Sequence, residues 1–152
     1  MSAPSTDQLV GSWQLVSWEV TRDAVTEAPF GERPEGLLIY AADGWMQAMV
    51  STGDRPRPSH PSPRRVPDVE LAAAARGFFA YGGRWEVQGD VVVHRVSLAA
   101  NPALVGTDQR RHAHLDADQL TLSADEPVAG RLRRHRLVWR RARGTTLKEN
   151  ER

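Results

Sequence analysis

Cysteine is absent from the 152 residues, which excludes a disulfide scaffold, thiol catalysis and Cys-based zinc or iron–sulfur centres. Long hydrophobic runs are missing too: stretches such as Gly36 to Ala42 fall far short of the ~20 apolar residues of a membrane span. Met1 to Asp7 carries neither a basic segment nor an apolar one, so no secretory signal is visible and a cytoplasmic protein is expected. No charge of one sign dominates. Twenty Lys and Arg stand against nineteen Asp and Glu, a formal charge of +1, and no global field points to nucleic acid or an anionic membrane. Lysine is nearly absent, Lys148 being the only one, and the arginine bias reads as composition rather than as recognition. A Gly-rich phosphate loop, a nucleophile elbow and a dinucleotide fingerprint are all lacking, so no cofactor is expected.

What the chain does have is tryptophan and alternation. Five Trp beside three Phe and two Tyr supply large apolar area with a donor, suited to cores and to small-molecule cavities. Gly11 to Val20 alternates, with Trp13, Leu15, Ser17 and Glu19 on one face and Gln14, Val16, Trp18 and Val20 on the other. Ala42-Asp43-Gly44, Gln88-Gly89-Asp90 and Asp116-Ala117-Asp118 each join two such runs as hairpin turns. With Leu132 to Arg141 as the last, eight strands are expected. Asp68 to about Ala80 reads as the one substantial helix, from its alanine run, its acidic first turn and the helix-stopping Gly77. Before it, Gly53 to Pro67 holds five of the ten prolines and reads as a long irregular loop, a candidate lid. The fold class is therefore all-β: an eight-stranded antiparallel barrel with one helix and a Pro-rich loop. Closure removes exposed edges and leaves room for side chains or one small ligand. One domain over 9–142 is expected, with a disordered tail at 1–8 and a polar tail at 143–152.

Gly11-Ser12-Trp13 resembles the Gly-x-Trp signature of lipocalins, in which the tryptophan plugs one barrel end against an arginine late in the last strand. Trp139-Arg140-Arg141 supplies that arginine, with Arg141 in phase with Trp139. Over about residues 9 to 142 the chain resembles the bacterial lipocalin-like domain family of small stand-alone proteins. The matching stretches are Leu9 to Val20, Pro29-Phe30-Gly31, Gly36 to Tyr40, Ala42-Asp43-Gly44, Val105 to Gln109 and Arg136 to Ala142. The resemblance implies a lipocalin-like barrel. It also implies a function among related barrels that act as cofactor-free cyclases in natural-product pathways or only bind ligand.

Phasing the strands gives the candidate lumen. In the last strand Arg134, Arg136, Val138 and Arg140 should meet water, which turns His135, Leu137, Trp139 and Arg141 inward. Arg95 prefers the outside, so His94 points in. Arg111, Ala113 and Leu115 are taken inward against the polar row Arg110, His112 and His114, and the family resemblance also places an arginine there. Met46, Tyr81, Trp85, Leu137 and Trp139 are then the candidate ligand-binding wall, and His94, Arg111 and His135 the candidate catalytic groups. Arg111 would attract a carboxylate, enolate or carbonyl oxygen, and either histidine could move a proton near neutral pH. Plainer roles stand beside these: hydrogen-bonded core histidines, and Arg111 paired with an acid such as Glu19. A metal site of His94, His112 and His114 would need the opposite phasing of one strand, and no metal is expected.

The expected partner is one small, largely apolar molecule with an oxygen-bearing polar end. No nucleic acid and no membrane is expected, and a homodimer is left open. The activity expected is that of a cofactor-independent cyclase or isomerase, with a non-catalytic carrier or sensor as the alternative.

Overall fold

The computed structural model describes residues 3–144. A short helix α1 (Thr6–Leu9) leads into β1 (Gly11–Arg22), followed by β2 (Val25–Glu27), β3 (Glu35–Tyr40) and β4 (Trp45–Ser51). After helix α2 (Asp68–Arg76) come β5 (Phe78–Gln88), β6 (Val91–Ala99), β7 (Asp108–Asp116), β8 (Gln119–Val128) and β9 (Arg131–Arg141). The sheet runs β2-β1-β3-β4-β5-β6-β7-β8-β9, and β1 also pairs with β9. All pairs are antiparallel, so eight strands close into a barrel and β2 extends the far end of β1. The three expected hairpins all form, with positive φ at Gly44, Gly89 and Ala117 in their turns. Among the described residues no helix is long and apolar enough to cross a membrane.

β1 departs from its own alternation. Leu15 pairs with Trp139 but Ser17 pairs with Val138, so two residues, Val16 and Ser17, stand where one should. Such a bulge moves the side chains beyond it to the opposite face. Val16 is left 40% exposed, and both Trp13 and Trp18 reach the interior instead of dividing between the faces. A second bulge falls between Gly82 and Gly83, opposite Ser97 of β6.

One end of the barrel is sealed around Trp13. Its indole N–H donates to the Leu9 carbonyl at 3.0 Å, and the Arg141 guanidinium lies 4.2 Å above its ring. The same guanidinium donates to the carbonyls of Val10 (3.2 Å) and Gln8 (2.6 Å). Residues 3–8, expected as part of a disordered tail, are instead drawn in by this plug. Ser5 and Gln8 form a capping box on α1, and Pro4 and Leu9 are buried. The polar tail expected over 143–152 lies, from residue 145 onward, outside the described residues.

The helix is shorter than its composition suggests. α2 stops at Arg76 with Gly77 as its cap, and Phe78 to Ala80 already pair with β4. The aromatic residues after Gly77 follow the period of a strand: Tyr81 and Trp85 turn inward on β5, with Gly83 between them. There a Cβ would meet the Arg95 carbonyl at 1.9 Å, so the backbones at the bulge approach too closely for any side chain. Gly83→Ala is therefore expected to lower stability by about 2–3 kcal/mol through backbone displacement. Gly89→Ala, in an open turn at φ +64°, should cost only about 1 kcal/mol. Denaturant midpoints of the two variants check this order, and equal midpoints would contradict it.

Candidate functional site

All eight barrel strands contribute to an internal cavity of about 620 Å³. Its apolar depth is built from Trp18, Leu38, Phe79, Leu122, Leu137 and Trp139. The mouth lies where two strands part. The β7–β8 ladder ends at His112 opposite Ser123, while β7 continues along β6 and β8 along β9. Asp108 to Arg111 and Ala124 to Pro127 line the opening between them. The acids of that rim are engaged: Asp108 with Arg95 at 2.8 Å, Asp125 with Arg134 at 2.9 Å and Glu126 with His135 at 2.9 Å.

Among the described residues, His94 is the one buried side chain that is neither apolar nor an aromatic of the Tyr/Trp/Phe kind, at 2% exposed. Its ring stands between two phenols, with Tyr40 Oη 2.6 Å from Nε2 and Tyr81 Oη 2.7 Å from Nδ1. The three meet because β3, β4, β5 and β6 are consecutive in the sheet and the inward rows of β3, β5 and β6 converge. Burial first, and then the Arg111 charge, push the imidazole pKa down from its usual value to about 3. Burial likewise raises the pKa of both phenols, against a smaller lowering by Arg111. A neutral imidazole between two neutral phenols is the result.

Arg111 is half-buried on the cavity wall. It donates to the Arg110 carbonyl at 2.9 Å and to Gln109 Oε1 at 3.2 Å. No carboxylate lies within ion-pair distance of it among the described residues, and Glu19 stands opposite Arg136 on the β1–β9 seam instead. His135 accepts from the Trp18 indole at Nδ1 (3.2 Å) and meets Glu126 through Nε2 (2.9 Å). Since Nδ1 accepts, the neutral ring carries its proton on Nε2 and donates to Glu126. Trp139 is 2% exposed, and its indole N–H has no hydrogen-bond partner among the described residues.

Of the residues singled out from sequence, His94, Arg111, His135, Tyr81, Leu137 and Trp139 line the same cavity. Met46 and Trp85 do not. Trp85 is packed 4.5 Å from the Tyr40 ring and donates to the Ala41 carbonyl, and Met46 borders a separate shallow hollow with Trp45 and Leu98. His112 and His114 face outward while His94 faces in, so the three do not converge. No residue of the Pro-rich loop or α2 lines the cavity. Sequence reasoning passed over Tyr40, Trp18 and Glu126. Tyr40 shares the inward row of Leu38, and a buried phenol always asks for a partner.

Comparison with known proteins agrees with this architecture. A family model described as a lipocalin-like domain matches residues 10–142, and the chain belongs to the lipocalin-like domain family. One similar protein is the 4'-hydroxy-3'-methoxypropiophenone carrier protein ppsC of Aspergillus oryzae (strain ATCC 42149 / RIB 40). It is 36% identical over 84 residues, which cover 49% of this chain and 76% of that protein. The barrel and its cavity are those of a small-molecule binder.

The neutral His94 sets a pH dependence whose sign is fixed. An unfolded imidazole protonates near 6.5, whereas the folded one resists protonation down to about 3. The unfolded chain thus binds the extra proton in that window. This contribution to stability is complete above pH 6.5 and lost as pH falls toward 3. Urea unfolding is expected to show about 2 kcal/mol lost from this residue between pH 7 and 5. His94→Gln should lack that part of the slope, and an unchanged slope would mean that His94 titrates normally.

Proposed function

We propose that this protein is a carrier, holding a small aryl ketone or a close chemical relative in the barrel without transforming it. The observation that carries this reading is the state of the two cavity histidines. Each has both ring nitrogens engaged by protein groups, at 2.6 and 2.7 Å for His94 and 3.2 and 2.9 Å for His135. A proton shuttle needs a nitrogen within hydrogen-bond reach of the reacting atom. Neither ring has one to offer without first losing a partner. The cavity is of a size that encloses a molecule of one or two rings, and the name of the Aspergillus oryzae relative supports an aryl ketone as cargo.

A second reading, the cofactor-independent cyclase or isomerase of natural-product type, is favoured by one feature. Arg111 stands on the wall with no carboxylate in range among the described residues, a disposition that suits a developing oxyanion. One experiment separates the two. Trp18 and Trp139 border the cavity, so titration with 4'-hydroxy-3'-methoxypropiophenone is expected to quench tryptophan fluorescence saturably at one site per chain. Mass spectrometry after incubation should recover the compound unchanged. Conversion to an isomer or a ring-closed product would replace the carrier by the enzyme, and absence of saturable quenching would reject the aryl ketone as ligand.

A further inference from the structure

We propose that His94 carries its proton on Nδ1, and that the Tyr81 hydroxyl therefore offers its own proton to the carbonyl oxygen of the bound ligand. A neutral imidazole has one donor and one acceptor, so only two arrangements fit the Tyr40–His94–Tyr81 row. If Nε2 held the proton, Tyr40 Oη would accept it, and the Tyr40 hydroxyl proton would need another acceptor. Tyr40 is 1% exposed, is not on the cavity wall, and has no side-chain hydrogen-bond partner but His94 among the described residues. A buried hydroxyl left without a partner is strongly disfavoured.

The other arrangement leaves nothing stranded. Tyr40 donates to Nε2, Nδ1–H donates to Tyr81 Oη, and the surplus proton falls on Tyr81, which does border the cavity. The row thus moves one donor from the sealed interior to the wall. Arg111, whose charge is felt by all three groups, brings further N–H donors to the same wall. Tyr81 and Arg111 thus present donors, while His94 donates to Tyr81 Oη and Arg111 occupies one lone pair of Gln109 Oε1. Such a surface selects an oxygen that only accepts, a carbonyl, over a hydroxyl that brings a hydrogen of its own.

This inference rests on the cavity being the ligand site, and its test has two arms. Two-bond 1H–15N correlation spectra of the ligand-free protein report the tautomer directly. The Nδ1–H pattern is expected for His94, and an Nε2–H pattern overturns the proposal without any variant being made. In the second arm the aryl ketone above is compared with its analogue in which a methylene replaces the carbonyl. Tyr81→Phe, which keeps the ring against Phe79, should weaken the ketone by about three- to tenfold and leave the analogue unchanged. Equal losses for both ligands, or no loss for either, would remove the carbonyl contact while the cavity stands. If neither ligand bound the unaltered protein, the aryl-ketone reading and the carbonyl contact would fall together, and the nitrogen spectrum would still decide the tautomer.

Discussion

A sheet that closes on itself must bring its first strand into register with its last, and here that demand falls on β1. It pairs with β9 from Trp13 to Thr21 while also holding β3 at one end and β2 at the other. An extra residue at Val16 bends the strand and reverses its faces midway. Trp13 can then plug one end while Trp18 joins the cavity wall. From this follow the Arg141 clamp on Trp13, the Trp18 contacts with Phe30 and Phe79, and the bond that fixes His135.

The interior this creates is apolar with one polar insertion. A histidine at the centre of such a core is tolerable only if it is uncharged and both nitrogens are met. Two tyrosines approaching from β3 and β5 meet that condition. The same burial that keeps the imidazole neutral keeps the phenols protonated, so the row is a fixed hydrogen-bonding device over the ordinary pH range rather than a titrating one. Arg111 is kept from the barrel's ion pairs because the rim carboxylates are taken by Arg95, Arg134 and His135.

Much of this was legible in the residues. Asp-Gly and Gly-Asp turns set the hairpins, and arginine rows marked the outer faces well enough to turn His94, Arg111 and His135 inward. The helix was placed by its first turn but overextended, because Gly77 ends it and the aromatic run after it serves the sheet. The bulge at Val16 left no mark: a two-against-one register depends on what the partner strand needs, and the alternation of β1 reads smoothly through it. Tyr40 was missed for a related reason. Its role exists only when β3 and β6, 54 residues apart at the bond to His94, face each other across a closed lumen. Met46 and Trp85 were read correctly as inward, but inward in a tapering barrel includes positions where core fills the space entirely.

The parting of β7 from β8 has a consequence for exchange. The plug at Trp13 and the opening of the cavity use different residues, so a small molecule in the cavity leaves the plug contacts in place. Any ligand the folded barrel holds still adds to its stability by mass action. The opening is bounded by two strand backbones where the β7–β8 ladder stops at His112 and Ser123, so widening it means breaking further ladder hydrogen bonds rather than moving a loop.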